Sequence, residues 1–383
     1  MRFRDVQHQD RALALLRRAL ASGRMPHAYL FEGPEGVGKE LAARALVARL
    51  LCEDEHLAPA ADACGQCRSC RQVASDNHPD FHLIHRGLHK LHPDRAVRAR
   101  KGLFLAVDLI RYFLIEHASL KPSQGRRRVF LIRDAERMNE EAQNALLKTL
   151  EEPPGTACLI LVTSSSARLL PTIRSRCQCV PFGLLPTDFV LHELESRAKL
   201  SPADSRALAT LSDGRLGVAL RWQQLGLLEL LPAVAEALDG LSAGDPEAFS
   251  KGLIELATGL ATRSLRGASE NEAAEDDDDA EAPKSGGKAI PTDVLREALK
   301  LVFLLVAALH RDALLVVSAA EKLRNLPALR ASVDQLAARS TPQHLDRSLG
   351  AVREAEHMLD RNVAPQLVGE WLAVALRGEL AVL

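Results

Sequence analysis

The sequence predicts an α/β fold built on a parallel sheet, followed by a long all-helical region. Three observations lead there. Over the first 183 residues, short runs of branched and aromatic residues alternate with amphipathic stretches, the pattern of parallel strands with helices on both faces. One strand-to-helix junction, residues 33–40, reads GPEGVGKE, the spacing of a phosphate-binding (P-) loop. After Phe182 the chain turns rich in Ala and Leu and offers no further strand-like run.

The elements follow in order. HAYLFEGPEGVGKELAARALVARLLC gives a strand at 28–32, a glycine-rich turn and a helix over about 38–51, with Leu41, Ala45, Leu46 and Leu50 as its apolar stripe. Gly33, Gly36 and Gly38 let backbone N–H groups converge on an anion at the helix N-terminus, and Lys39 adds a charge for the β and γ phosphates. The pattern ends in Glu40, where a Ser or Thr hydroxyl would ligate magnesium. A plain glycine-rich turn is the alternative reading. DFHLIH alternates like a strand, and residues 129–132 and 158–163 supply two more buried strands. Between those two, NEEAQNALLKTLEEPPG has an Asn139 cap, acids in its first turn and Pro153-Pro154 to stop it. Pro181-Phe182-Gly183 reads as a hinge into a small helical unit containing SPADSRALATLSDGRLGVALRW. The expected domains are therefore 1–183, 184–227 and 228–383, the last interrupted by the acidic, Gly/Ser-rich segment 267–288, which is expected to be disordered.

At 383 residues and 47% hydrophobic content the chain can bury sizeable cores. Its longest apolar run, residues 301–309, is too short to span a bilayer, and the polar start MRFRDVQHQD lacks a signal-peptide core. A cytoplasmic location without membrane contact is expected. The net charge of −1 conceals segregation, with a basic stretch at 86–101 and an acidic one in the 267–288 insertion. Four of the seven cysteines, Cys52, Cys64, Cys67 and Cys70, crowd into residues 52–70. Four thiolates suit a closed tetrahedral site, so a structural Zn2+ is expected, against the alternative of reduced thiols without metal. Cys158, Cys177 and Cys179 lie in or beside strand runs and read as core thiols. Histidines 78, 82, 85, 89 and 92 recur at helical spacing, but Pro79, Gly87 and Pro93 argue for a strand and a basic loop rather than a second metal site.

Taken together, HAYLFEGPEGVGKELAARAL, the four-cysteine module, HPDFHLI, VDLIR, NALLKTLEEPP and PTIRSRC occur in the order found in the clamp-loader subunits of bacterial DNA polymerase III. The chain resembles these AAA+ proteins, of the tau/gamma and delta-prime type, clearly over about residues 5–183, more weakly to 225 and only in architecture beyond. The resemblance implies an AAA+ P-loop sheet with an inserted zinc module, a small helical lid and an all-α collar. It also implies partners: tau/gamma and delta subunits in a hetero-pentameric ring that loads the sliding clamp onto primer-template DNA.

Active tau/gamma members and inactive delta-prime members differ at their site residues. Here Glu40 replaces the metal-binding hydroxyl, and aligning VFLIRDAERM puts Arg133 at the metal-organising acid and Asp134 at the catalytic glutamate. In SDGRLGVAL the arginine that senses the γ phosphate falls on Gly217, with Arg215 two residues away. A carboxylate beside a triphosphate without metal costs about 1–4 kcal/mol per charge pair at 4 Å. Glu40 and Arg133 are expected to form a salt bridge where metal and water would be. The residues argue against hydrolysis; ATP binding without turnover stays open. The resemblance assigns Arg176, in Ser175-Arg176-Cys177, as an arginine finger donated to a neighbour's ATP. Gln143 and Lys148 match the family helix, facing a neighbour, DNA or solvent. The basic stretch 86–101 with Arg126, Arg127 and Arg128 reads as a phosphate contact or a solubilising loop. The delta-prime type is favoured, also because full-length tau carries further domains after its collar. An active tau/gamma-type ATPase and a zinc-dependent DNA-binding protein on an AAA+ scaffold are the alternatives.

Overall fold

Five strands form one parallel sheet in the order β2-β3-β4-β1-β5, where β1 is Ala28–Glu32, β2 Phe81–Ile84, β3 Arg128–Ile132, β4 Ala157–Thr163 and β5 Gln178–Pro181. The computed structural model describes residues 1–100, 104–242, 244–273, 290–326 and 329–378. Leu30 sits beside Leu161 on one side and Cys179 on the other, and Phe130 beside Leu159. Successive residues of a strand face opposite sides. Tyr29, Phe31, Val129, Leu131, Cys158 and Ile160 pack with Leu16 and Leu46, whereas Leu30, Phe130, Ile132, Leu159 and Leu161 pack with Leu109, Leu146 and Leu150. Both faces are thus covered, which is why these strands read as continuous apolar runs. Truncating Phe130, fully buried, to alanine would cost about 3–5 kcal/mol.

The helices around the sheet are α1 (Asp10–Ser22), α2 (Lys39–Leu51), α3 (Arg68–Ala74), α4 (Arg95–Arg98), α5 (Val107–Ile110), α6 (Glu116–Ala118), α7 (Glu140–Glu151) and α8 (Pro171–Arg174). They belong to a packing unit formed by Met1–Pro186 with Gly214–Gly217. The Asn139 side chain caps α7 by accepting the Ala142 amide at 3.0 Å, and the helix ends just before the two prolines. Between α5 and α6, Arg111–Ile115 form a π-helical turn.

The second unit, Thr187–Asp213 with Val218–Leu383, is helical throughout its described residues. It is built from α9 (Thr187–Arg197), α10 (Pro202–Ser212), α11 (Leu216–Gln224, whose first residues pack with the sheet unit), α12 (Leu231–Ser242), α13 (Pro246–Ala273), α14 (Thr292–Val317), α15 (Arg330–Ala338), α16 (Pro342–Asp360) and α17 (Pro365–Leu376). Phe249, Leu253, Phe303, Val306, Val352 and Leu372 are buried in its core. Helix α13 runs on to Ala273, into the segment expected to be disordered from residue 267. The Ala- and Glu-rich start of that segment prolongs a helix already nucleated, so propensity prevails there. Residues 274–288 of the insertion lie outside the described residues. Among the described residues no helix is long and apolar enough to cross a membrane.

Candidate functional site

The loop between β1 and α2 has the geometry its glycines imply. Gly33 adopts φ 148°, and a Cβ there would lie 2.3 Å from the Phe182 carbonyl oxygen, so no larger residue fits. Gly38 is the N-cap of α2. Lys39 is buried, and its Nζ donates to the carbonyls of Gly33 at 2.7 Å and Pro34 at 2.5 Å. The ammonium is satisfied by the loop itself. Burial lowers its pKa, opposed by the carboxylates of Glu136, Glu35 and Asp134.

Glu40, in the first turn of α2, faces two guanidinium groups. Its Oε1 accepts from Arg133 Nη2 at 2.6 Å, the pair expected from the sequence, and from Arg44 Nε at 3.0 Å. Arg44 then holds both oxygens of Asp76, at 2.5 and 3.0 Å. Charges alternate in sign along this path and sum to zero. Burial acts to raise the Glu40 pKa, but Arg133 and Arg44 outweigh it and hold the carboxyl below its ordinary range. The sequence reading did not anticipate Arg44 and Asp76. Glu40 and Arg44 stand four apart on a helix, which was a usable signal; Asp76 carried none.

Asp134 follows Arg133 in the left-handed region at φ 52°. Burial raises its pKa, with Glu136 adding to the effect against nearby arginines. Glu136, which the sequence reading passed over, accepts the Ser164 amide at 3.2 Å and the Ser164 hydroxyl. Gly217 donates its amide to the Gly36 carbonyl at 2.9 Å, and a Cβ there would meet the Gly36 Cα at 3.0 Å. The position aligned with a phosphate-sensing arginine is thus packed against the loop.

Among the described residues, the one group of His, Cys, Asp and Glu placed to hold a metal ion is Cys52, Cys64, Cys67 and Cys70, with ligand atoms within 4.8 Å of one another. Cys52 ends α2, Cys67 caps α3 and Cys70 lies in the first turn of α3. Sulfur–sulfur distances are 3.6 Å for Cys52–Cys64, 4.0 Å for Cys52–Cys67 and 3.8 Å for Cys64–Cys70. A tetrahedral ion with metal–sulfur bonds of about 2.3 Å has edges of about 3.8 Å. The amides of Gln66 and Cys67 donate to the Cys64 sulfur at 3.4 and 3.3 Å, and that of Cys70 to the Cys67 sulfur at 3.4 Å. The Gln66 amide, assisted by that of Cys67, brings the Cys64 pKa down to about 7 against burial, while burial pushes Cys52 and Cys70 up.

Ser69, between two of these cysteines, ties the module to the segment that enters β2. His78 Nδ1 accepts the Asp80 amide at 3.0 Å, so its proton lies on Nε2, which donates to Ser69 Oγ at 2.9 Å; that hydroxyl donates to Glu53 at 2.9 Å. Asp80 is fully buried and accepts the amides of Ser123, Gln124 and Gly125 at 2.6, 2.8 and 2.7 Å. The other histidines do not converge. His82 stacks on Phe130, His89 bonds the Arg86 carbonyl and His92 accepts the Asp94 amide. Of the basic residues, Arg128 is buried against the carbonyls of His117 and Lys121, which removes it from any phosphate-contacting surface. Lys90, Arg95 and Arg126 are exposed, Arg98 and Arg100 have partners within the chain, and Lys101 lies outside the described residues. Cys158 is a core thiol, and Cys177 packs against the core as expected; Cys179 instead donates to Glu32 Oε1 at 2.8 Å.

Arg176 stands between α8 and β5, away from the phosphate loop in sequence, its side chain 35% exposed. Nη2 lies 2.7 Å from Glu151 Oε1, and Nη1 donates to the Thr172 carbonyl at 3.0 Å. Gln143 is buried and joins α7 to the segment entering α8: its Nε2 donates to the carbonyls of Met138 and Arg168, and its Oε1 accepts the Leu170 amide at 2.8 Å. Lys148 is exposed.

Residues 8–185 match the protein family described as DNA polymerase III, delta subunit. The chain is 38% identical over 219 residues to DNA polymerase III subunit delta' of Pseudomonas aeruginosa, covering 56% of this chain and 61% of that one. It is 34% identical over 205 residues to the delta' subunit of Bacillus subtilis, covering 54% and 56%. DNA polymerase III subunit tau of Salmonella typhimurium is 34% identical over 223 residues, 57% of this chain and 32% of tau. The alignments thus span rather more than half the length of the delta' relatives. Over the phosphate-loop unit, this chain is thus similar to the DNA polymerase III delta subunit family and to both delta' and tau relatives.

Proposed function

We propose that this chain is a delta-prime-type subunit that works in a clamp-loader ring without turning over ATP itself. It lends Arg176 to the nucleotide of a neighbouring subunit. The observation that carries this reading is the 2.6 Å contact between Arg133 and Glu40. A magnesium triphosphate needs a neutral hydroxyl at the second position and an anion at the first, and it meets instead a pair already neutralised, backed by Arg44. With Lys39 bonded to its own loop, both charges that would receive a nucleotide are occupied.

In this reading residues 184–227 act as the lid and 228–383 as the collar that joins tau/gamma and delta subunits in a hetero-pentamer, in the cytoplasm. The sliding clamp and primer-template DNA are reached through that complex. The four-cysteine cluster holds a structural Zn2+, for which the sulfur tetrahedron and its N–H donors are suited. The chemistry the chain offers is electrostatic. A planar guanidinium delivered to a γ phosphate stabilises charge on the transferring group, an effect of order 10³ or more in rate where a finger is essential.

The test is ATP turnover by a ring assembled with Arg176→Ala, at saturating clamp and DNA. Reduced turnover with intact assembly is expected, and unchanged turnover refutes the assignment. Hydrolysis by the isolated chain would refute the claim that its own site is sealed.

A further inference from the structure

We infer that Glu151 is a positioning residue for Arg176, an inference that rests on the trans role proposed above. Glu151 is the last residue of α7, where the carbonyl end of a helix disfavours a carboxylate. Its position is explained by the cation it meets, since its Oε1 lies 2.7 Å from Arg176 Nη2. The second anchor of the guanidinium is the Thr172 carbonyl on α8, at 3.0 Å. Two points, one on each helix, fix the plane of the group, and the side chain as a whole stays 35% exposed.

The two helices are themselves one piece. Gln143 bonds the backbone at Met138, Arg168 and Leu170, and the turn carrying Arg176 is closed by bonds from Ser175 to Pro171 and from Arg176 to Ile173. An unanchored arginine loses rotamer freedom when it docks on a phosphate. Glu151 imposes part of that order beforehand, so the finger meets the neighbour's nucleotide already aimed. Arg176 touches the reacting phosphate in this scheme; Glu151 acts through it.

The experiment uses the complete ring with Glu151→Gln, Glu151→Ala and Arg176→Ala, alone and combined, reading kcat and KM for ATP separately. Glu151→Ala should lower kcat about two- to fivefold, the scale of an exposed ion pair, with KM unchanged. Glu151→Gln, which keeps the acceptor oxygen, should recover part of the loss. On the Arg176→Ala background, Glu151→Ala should add nothing. A rise in kcat, an equal loss on both backgrounds, or no change while Arg176→Ala is impaired would each overturn the inference. If Arg176→Ala itself has no effect, the underlying trans role fails instead, and the two failures are distinguished.

Discussion

Removing the Glu40 carboxylate tests whether the sealed site is a coupled structure or a chance meeting of surface charges. Glu40→Ala deletes two charge-assisted bonds, to Arg133 at 2.6 Å and to Arg44 at 3.0 Å. Buried, each would be worth about 1.5–3 kcal/mol. The side chains of Glu40 and Arg133 are 34% and 37% exposed, so solvent screening brings each bond nearer 1 kcal/mol. The variant also leaves two guanidiniums facing each other with only Asp76 to neutralise them, and a total of about 2–3 kcal/mol is expected. For a unit the size of Met1–Pro186, each kcal/mol moves the midpoint by about 2–4 °C, giving a fall of about 4–12 °C. On an Arg133→Ala background the same substitution should cost less than half as much. Because the folded Glu40 pKa is depressed, its stabilisation is present above the ordinary carboxyl pKa and is lost as pH falls through the folded value. The difference between variant and parent should therefore vanish in acid. A loss below 1 °C, or full additivity with Arg133→Ala, would refute the reasoning.

Three further outcomes are expected. Chelation at neutral pH should release one divalent ion per chain by elemental analysis and melt α3, a seven-residue helix too short to persist alone; an unchanged far-ultraviolet spectrum and no released ion would count against the metal assignment. Asp80→Ala removes the acceptor of three loop amides and the charge partner of buried Arg128, and should cost about 3–5 kcal/mol in urea unfolding, with a cost under 1 kcal/mol telling against its clamping role. Burial lowers the His78 pKa against the pull of Asp80 and Glu53, so the buried neutral form stabilises the fold above the unfolded value of about 6.5 and that stability drains as pH drops below it. His78→Gln should flatten the pH dependence of the urea midpoint between about pH 7 and 5, and an unaltered slope would exclude His78 as its source.

The parallel sheet was legible because its strands are buried on both faces, so Leu-Ile-Leu-Val in β4 and Val-Phe-Leu-Ile in β3 announce themselves without alternation. The Glu40–Arg133 pair was legible because both residues occupy motif positions whose chemistry is fixed. Its extension was less so. Arg44 is visible only as a helical neighbour of Glu40, and Asp76 reaches it from 32 residues away by virtue of how α3 is docked. The same is true of His78 and Ser69: a histidine at strand spacing and a serine between cysteines have no sequence relation until α3 folds back on the segment that leads into β2. The basic residues mislead in the opposite sense. Arg128 carries the same letter as exposed Arg126, but it is the first residue of β3 and is buried, whereas Arg126 lies before the strand.

That a phosphate loop persists where two of its charges are spoken for has a physical explanation within the chain. Gly33 is needed for the close passage of the Phe182 carbonyl, Gly36 for its left-handed φ of 77°, and Lys39 for holding the carbonyls of residues 33 and 34. Each of these letters belongs to the nucleotide pattern, and each now meets a demand of folding that makes no use of a nucleotide. Glu40, the letter that departs from the pattern, meets one too, since it neutralises Arg133 at 2.6 Å. A loop sequence can therefore outlast the activity it suggests. Under the proposed function, the residues that report on hydrolysis are those whose retention folding does not require, here the positions held by Glu40, Arg133 and Gly217.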